Sequence, residues 1–508
     1  MIFLLALLAT AYAQDVPEEV EEVEEVEEVE EVEEVEEVEE VEEVDEVWPP
    51  AVDEPAEEVV NLRSPWGSAE VELPATGSKR AITDKRNVPD IDGRKVPPTP
   101  GEALLWVPRT ALAPAYVLDK YVLYPPLRAI AIWAEKNNIP VRVVDTFTVF
   151  DGDYRLRIYP TTLVDFGLRP SVGIASGLVG NNAPHSKTSL QAAYGGNGWF
   201  ALKASESLAL TADGREGESK MAGSDITGSF VYIDRPDYTF FGLGSNTASV
   251  TTRFSQRTVG GRLETHLQFP AWFEVDLGAR AEQNRFGPGV PIFHADVPIA
   301  AAFNTASLSG FGGYTLVRGD AGVAFDTRAQ RPKEGSGARV ELDQGLGTDV
   351  EGDGGLLTWT GAEVSGFLDV SGDNHTLGLS QYIASAGASE GALVPFTELV
   401  TLGGGEHLRG FLPGRFRGPS ALVSKLQYNY PIWVFTDATL FAEVGGVFDD
   451  KFGGLDVGSM SSAFGTGIRT SSRRETSFQA VVAVGSRPFE ERFAVDTVRL
   501  VLGTNRGF

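Results

Sequence analysis

The chain has 508 residues, no cysteine and a formal net charge of −30, which excludes disulfides, thiol chemistry and cysteine-ligated metals. The charge is concentrated in one segment, because 25 of the 72 acidic residues lie between Asp15 and Glu58, where there is no lysine or arginine. Elsewhere 47 acidic residues face 42 basic ones. The acidity therefore argues against a nucleic-acid partner but does not characterise the rest of the chain.

Residues 1–13 have the pattern of a secretory signal peptide. An apolar run over residues 2–9 leads into Ala11-Tyr12-Ala13, a small-residue cleavage site. The run is short and no basic residue precedes it, so a fortuitous apolar terminus is the alternative to export. No later run reaches the roughly 18 apolar residues that a membrane helix needs. Any membrane span must therefore be a β-barrel.

Residues 14–100 are predicted to be a disordered acidic linker. From Val20 to Val44 the motif Val-Glu-Glu repeats every three residues. A helix turns by about 100° per residue, so this period gives no continuous apolar face, and the glutamates repel one another. Prolines without periodic pattern follow up to residue 99. Besides a plain spacer, the tract suggests divalent-cation binding or docking of basic periplasmic partners.

Residues 101–150 contain one short helical pattern. Pro126 can open the helix, apolar residues follow at helical spacing, and Asn138 with Pro140 ends it. We predict a short periplasmic or barrel-mouth helix, which is too little material for a separate domain.

Residues 151–508 read as strands of about ten residues. In the segment 273–282, for example, apolar residues alternate with charged or small ones, from Phe273 and Glu274 to Ala281 and Glu282. A soluble sheet would hide its apolar face under a second layer, but almost no helical pattern is present. Lipid outside and a charged lumen inside explain the alternation better. The fold class is therefore all-β, a transmembrane antiparallel β-barrel of about 16 strands.

The last strand carries a terminal aromatic residue. Val498, Leu500 and Leu502 share one face, and Phe508 continues the same phase. We interpret Phe508 as the C-terminal insertion signal of a Gram-negative outer-membrane barrel.

A long loop and two strands identify a family. The loop, about Gly387 to Pro419, contains LGGGEHLRGF at 402–411, and the strands SKLQYNYPI at 424–432 and FAEVGGVFDD at 441–450 follow. An earlier FGLGSN stands at 241–246. Together these segments resemble the BamA/TamA outer-membrane superfamily, also called the bacterial surface antigen family. The resemblance covers about residues 150–508.

The resemblance implies a loop that folds into the lumen, where its arginine meets a carboxylate on the barrel wall. Carried over residue by residue, the lumen loop motif is Leu408, Arg409, Gly410 and Phe411, and the loop-anchoring strand residues are Gln427, Phe441, Glu443, Gly445 and Asp449. Strand phase supports an inward Glu443, and a bidentate Arg–carboxylate pair suits a loop held in one pose. Gln427 stands where the family often has an acid, which leaves one charge fewer around Arg409.

A second departure concerns the periplasmic side. Residues 14–150 show no alternating βααβ material, so the chain resembles a branch of the superfamily that lacks POTRA domains. The resemblance implies outer-membrane biogenesis, or insertion or translocation of protein or lipid through a lateral seam. The implied partners are outer-membrane lipid and a periplasmic chaperone or POTRA-bearing protein. The alternatives are a passive porin-like channel and a structural surface barrel.

We expect no enzymatic activity and no cofactor. Gly387-Ala388-Ser389-Glu390-Gly391 matches a hydrolase motif, but that motif needs a strand-turn-helix elbow, which the pattern here does not predict. The five histidines are scattered without metal-ligand spacing, and His266 is predicted to line the lumen.

Overall fold

The computed structural model describes sixteen stretches of the chain. They are residues 61–63, 70–72, 147–151, 155–165, 167–179, 186–196, 198–210, 224–244, 250–269, 272–328, 335–352, 355–370, 375–433, 436–471, 476–491 and 494–503. The predicted signal peptide, the Val-Glu-Glu tract, the helix at 126–138 and Phe508 all lie outside the described residues.

Sixteen strands form a closed antiparallel barrel, which confirms the predicted fold class. Apart from the closing contact, each strand pairs with its neighbours in sequence. Their bounds are β1 Arg155–Asp165, β2 Ser171–Val179, β3 Ser186–Tyr194, β4 Phe200–Ala209, β5 Asp225–Phe240, β6 Thr252–Phe269, β7 Phe273–Pro288, β8 Tyr314–Asp326, β9 Gly337–Asp349, β10 Leu356–Asp369, β11 Thr376–Ala388, β12 Ser420–Trp433, β13 Thr436–Phe448, β14 Ser461–Ser471, β15 Thr476–Ser486 and β16 Val495–Gly503.

The remaining regular structure is short. In the described residues, the α-helix Ile299–Ala302 and the 3-10 turns Thr305–Ser307, Asp450–Phe452, Val457–Ser459 and Phe489–Glu491 lie in loops. Short strands are Asn61–Arg63, Glu70–Glu72, Thr148–Asp151, Val297–Pro298, Val400–Leu402 and Phe416–Gly418. No helix in the described part of the chain is long and apolar enough to cross a membrane.

The outer surface of the barrel is apolar. Leu263, Leu277, Leu379 and Val498 are all exposed, although they lie in the middle of long strands. On β7 the apolar Leu277 is exposed whereas Glu282, in the opposite phase, is buried. The strand alternation therefore places apolar side chains outside and charged ones inside, as expected for a barrel surrounded by lipid.

The lumen is lined by paired charges on β6 to β10. Arg262 of β6 pairs with Glu282 of β7, and Arg339 of β9 reaches Glu274 of β7 at 3.2 Å. A guanidinium that is taken out of bulk water needs a carboxylate partner, since an unpaired buried charge is costly. These pairs explain why the inward phase of these strands is rich in both signs of charge.

One end of the barrel, called the loop end, carries the connection between β11 and β12. There an aromatic cluster packs inside the barrel, with Phe396 of this connection at its centre. The Phe396 ring centroid lies 5.1 Å from that of Phe286, 5.3 Å from Phe254 and 5.7 Å from Phe240. The loop is therefore part of the packed interior of the barrel.

Candidate functional site: the loop seated in the lumen

The connection between β11 and β12, residues 389–419, is called the lumen loop. Its two arms pair as a short ladder, Val400–Leu402 against Phe416–Gly418. Beyond the ladder the chain turns back on itself, since Gly403 donates to the His407 carbonyl at 3.0 Å and Gly404 to that of Phe411 at 3.0 Å. Both glycines have φ near +100°, a backbone conformation that side chains disfavour. The glycine run thus shapes the tip.

Leu408 and Phe411 pack the tip against the barrel wall. Both are buried, and they join a cluster that includes Val423 of β12 and Ala463 of β14. The Phe411 ring meets Phe416 of the loop edge-on, with centroids 5.0 Å apart. Leu408 has φ of 50°, a strained value that its packing has to offset.

Arg409 is held by β12 and β13. Its Nε donates to Glu443 Oε1 at 2.7 Å, and its backbone N–H donates to Oε2 of the same carboxylate at 2.7 Å. Its Nη2 donates to Gln427 Oε1 at 3.1 Å, and its guanidinium carbon lies 3.6 Å from the centre of the Phe441 ring. Glu443 is fully buried. Removing one partner of a buried ion pair typically costs about 3–5 kcal/mol.

The structure thus brings three of the anchoring strand residues, Gln427, Phe441 and Glu443, to Arg409. Gly445 is further along β13, where a β-carbon would lie 2.8 Å from Val423 Cγ2, so its role is close packing. Asp449 is exposed beyond the end of β13 and opens the turn at Asp450–Phe452. Among the described residues, the hydrogen-bond partners of Arg409 do not include Asp449.

Gly410 packs directly on β15. A β-carbon at this position would lie 2.6 Å from the Val484 carbonyl carbon and 2.8 Å from the Gly485 nitrogen. Gly485 in turn makes room for the Phe411 ring, since a β-carbon there would lie 2.6 Å from its Cζ. The RGF motif therefore matches a complementary surface on the wall.

Strand β16 holds the backbone of the same tip. Thr497 donates to the Gly410 carbonyl at 2.6 Å, and Arg499 Nη1 donates to the carbonyls of Arg409, at 3.2 Å, and Gly404. Arg499 also forms a bidentate pair with Asp165 of β1, with Nε–Oδ1 at 3.0 Å and Nη2–Oδ2 at 2.6 Å.

Sequence reasoning missed Arg499 and Asp165. The alternation of side chains along β16 could have located Arg499. It lies on the opposite face of the strand from the apolar Val498 and Leu500 and therefore points inward. Nothing in that pattern named its partner.

Glu398 fixes the loop to the wall formed by β7, β8 and β10. Sequence reasoning did not identify this residue either. Its carboxylate accepts from Arg280 Nη2 of β7 at 3.0 Å and from the Tyr314 hydroxyl of β8 at 2.9 Å. Its backbone carbonyl accepts from Trp359 Nε1 of β10 at 2.8 Å. The lumen loop is thus tied to three sectors of the barrel, namely β7–β10, β12–β13 and β16.

His407 lies beside the Arg409 anchor. Its ring stacks on Tyr382 of β11 with centroids 3.9 Å apart. Burial, and after it the positive charge of Lys425, lowers the pKa of His407 to about 4. The imidazole is therefore neutral at physiological pH.

The FGLGSN segment also meets the loop. Gly244 donates to the Arg417 carbonyl at 2.7 Å, and the Arg415 guanidinium lies 4.6 Å from the Phe241 ring centre. The FGLGSN segment thus docks on the second arm of the lumen loop, about 170 residues away in the sequence. Ser245 and Asn246 lie outside the described residues.

A polar cavity of about 250 Å³ opens inside the barrel next to this anchor. It is lined by both signs of charge, including Arg339, Glu341 and Glu363, together with Gln427. Lys425 pairs with Glu363 at 3.2 Å on this lining. The lumen therefore keeps polar, water-accessible space beside the seated loop.

The hydrolase-like residues 387–391 cross the end of β11 into a turn, where Ser389 Oγ accepts from the Leu356 N–H at 3.0 Å. His266 contacts Asp276 of β7, with Nδ1 2.6 Å from Oδ1. Within the described residues no three histidine or acidic side chains are grouped so as to hold a metal ion.

Comparisons with known proteins give structural neighbours only. No protein-family model matches the chain, and no curated protein matches it in sequence. BamA from Haemophilus ducreyi lacking POTRA domains 1–3 is similar at 12% identity and a TM-score of 0.48, over 69% of this chain and 70% of that one. CdiB from Acinetobacter baumannii and CdiB from Escherichia coli follow at 10% and 11% identity, both with a TM-score of 0.41.

Membership of the BamA/TamA superfamily stays a prediction from the motifs. The CdiB alignments cover 70% of this chain but only 60% and 63% of the two CdiB chains. The likeness concerns the barrel fold.

Proposed function

We propose that this protein is an outer-membrane barrel that inserts or translocates protein or lipid substrates through an opening between β16 and β1, called the seam. The observation that carries the proposal is that β16 continues past Asp165, where β1 ends, so that the two strands are unequal in height at the loop end of the seam. In the described residues β16 meets β1 at three residue pairs, from Val501↔Asp165 to Gly503↔Leu163. On its other side β16 pairs with β15 from Gln479↔Gly503 to Ser486↔Val495.

A strand edge without a partner is the place where a barrel opens at least cost. Each ladder hydrogen bond contributes only about 0.5–1.5 kcal/mol net. In the described chain, the stretch of β16 from Val495 to Leu500 has no strand partner on its β1 side. Such an edge presents free N–H and C=O groups to which an incoming strand can pair.

The exterior and interior of the barrel support a membrane setting. The exposed apolar belt suits contact with outer-membrane lipid, and the charged lumen suits a polar passage. In this proposal the chain is exported to a Gram-negative outer membrane and works with a periplasmic chaperone or a POTRA-bearing partner. It is not an enzyme.

A passive porin-like channel is the second candidate, and the charged cavity of about 250 Å³ favours it. The filled loop end argues against a wide pore, because the lumen loop crosses the interior and Phe396 packs among aromatic rings there. A structural surface barrel would need neither the unpaired edge of β16 nor the seated loop.

Locking the seam tests the proposal. Val164 and Leu502 are partners across the seam, and the native chain has no cysteine, so the pair Val164→Cys with Leu502→Cys introduces the only thiols. We expect the barrel to insert normally, and the crosslinked form to lose function in the native host, measured as growth and outer-membrane integrity in a strain depleted of the native copy. Reduction should restore both.

The matched control joins β16 to β15 through Val482→Cys and Leu500→Cys, which are partners in that ladder. This crosslink should leave function intact. Full activity of the seam-locked barrel would refute the proposal, and a large steady conductance in the same barrel would favour the passive channel.

A further inference from the structure

Arg499 is bonded to both of the parts that a lateral opening would separate. It lies on the inner face of β16 and is only 5% exposed. On one side it meets Asp165 at the final residue of β1, and on the other it meets the carbonyls of Gly404 and Arg409 in the lumen loop.

The guanidinium divides its donors between these two partners. Nε and Nη2 face the two carboxylate oxygens of Asp165, whereas Nη1 faces the loop carbonyls. A planar fork with fixed directions can satisfy both sets at once, which a lysine ammonium on a flexible stem cannot do in the same way. One rotamer of Arg499 thus serves the seam and the loop together.

The ion pair lies just beyond the end of the seam ladder. Asp165 is paired in the ladder with Val501, and Arg499 is two residues further along β16, on the same inward face. The pair therefore closes the seam at the point where backbone pairing stops. Its side chains are 5% and 7% exposed, so solvent screens it little.

A continuous chain of contacts links the loop anchor to the seam. Glu443 of β13 holds the side chain of Arg409, the carbonyl of Arg409 accepts from Arg499, and Arg499 pairs with Asp165. Withdrawal of the loop would leave Nη1 without these acceptors in a buried site. Separation of β1 would leave the buried cation without its counter-charge. Each loss weakens the arrangement that the other contact needs.

We infer that Arg499 couples the two events, so that the seated lumen loop holds the seam closed and unseating the loop releases it. This inference rests on the proposed function, in which the seam opens. It makes Arg499 a positioning residue and names the loop pose as the control of the opening. Coupling of this kind is reciprocal, so opening the seam must loosen the loop by the same factor.

The experiment uses the purified full chain in lipid nanodiscs without any substrate. Closure of the seam is read as the rate of disulfide formation between Val164→Cys and Leu502→Cys. Glu443→Gln unseats the loop at a site remote from β1. With Arg499 present, we expect this change to slow the disulfide rate about 5-fold or more.

Arg499→Lys separates coupling from closure. It keeps a positive charge beside Asp165 but has no planar fork that reaches the loop carbonyls at the same time, so adding Glu443→Gln should then change the disulfide rate by less than about 2-fold. The matched control is Arg415→Lys, because among the described contacts Arg415 reaches β16 through Asp496, at 3.3 Å, and not through Asp165. In that background the effect of Glu443→Gln should persist.

The reverse direction gives a second measurement. Asp165→Asn should raise the mobility of a spin label at the exposed loop residue Glu406, and heat-modifiable migration in gels shows that each variant is folded. The inference is overturned if Glu443→Gln leaves the disulfide rate unchanged, or slows it equally in the Arg499→Lys background. Because no substrate is used, this result is independent of the seam-lock test of function.

Discussion

At the scale of residues, the site consists of buried charged groups that form ion pairs and of one histidine, His407, that is neutral. Arg409, Arg499 and Glu398 each make charge-assisted hydrogen bonds in the lumen. His407 is different, because burial, and after it the positive charges of Lys425 and Arg409, lower its pKa and hold it neutral. Its neutrality makes the loop pose sensitive to acid.

We predict that acidification loosens the lumen loop through His407. The pKa is about 4 in the folded protein and about 6.5 in an unfolded chain. A lowered folded pKa means that the unfolded or unseated state binds the proton more readily. The contribution of His407 to stability is therefore fully present above about pH 6.5 and is lost progressively as the pH falls toward 4.

The measurement is the mobility of a spin label at Glu406 between pH 7.5 and pH 4.5. We expect mobility to increase as the pH is lowered, and the His407→Gln variant to show a flatter profile. Equal profiles in both proteins would assign the pH dependence to other groups.

At the scale of elements, the loop fits the wall because Gly410 of the loop and Gly485 of β15 allow the two backbones to touch. Gly410 lies on Val484 and Gly485 of β15, whereas Gly405, at the exposed part of the same tip, faces open space. The two positions therefore provide a matched pair, in which the same added methyl group meets backbone in one case and solvent in the other.

We predict that Gly410→Ala unseats the loop tip and that Gly405→Ala does not. The added β-carbon at position 410 meets backbone atoms that cannot rotate away, and overpacking of this kind costs about 1–3 kcal/mol. Limited proteolysis of the loop in intact barrels measures the effect. Equal cleavage rates in the two variants would show that the tip is not held by this contact.

At the scale of the whole molecule, the barrel is closed twice. The strands close the circumference at the seam between β16 and β1, and the lumen loop closes the interior by contacts to β7–β10, β12–β13 and β16. Both closures share the Arg499 region. A barrel of this kind differs from an open pore, in which loops narrow the lumen but leave a steady path.

We predict a small resting conductance that increases when the loop is unseated. Planar-bilayer recordings of the parent should show low, intermittent current, because aromatic packing around Phe396 and the Arg409 anchor obstruct the lumen. Glu443→Gln should raise the open fraction severalfold, whereas Arg257→Gln, which removes an ion pair with Asp234 away from the loop, should not. A large steady conductance in the parent would contradict the filled lumen.

Much of the fold was predictable because strand geometry is a local property. Side chains alternate across a strand with a period of two, so the pattern from Phe273 to Glu282 indicates by itself which face meets lipid and which meets the lumen. The same phase rule placed Glu443 inside, and the family resemblance supplied Arg409 as its partner. The number of strands followed from counting the alternating segments.

The partners across the lumen were decided only by the tertiary structure. Arg499 and Asp165 are 334 positions apart in the sequence, and no pattern within either strand indicates the other. Glu398 meets Arg280 for a similar reason, since the loop has to cross the barrel before the two groups can approach. The sequence by itself determined which face each charge occupies, because pleating is local. Only closure of the barrel decided which charges meet, because that depends on where the first and last strands come together.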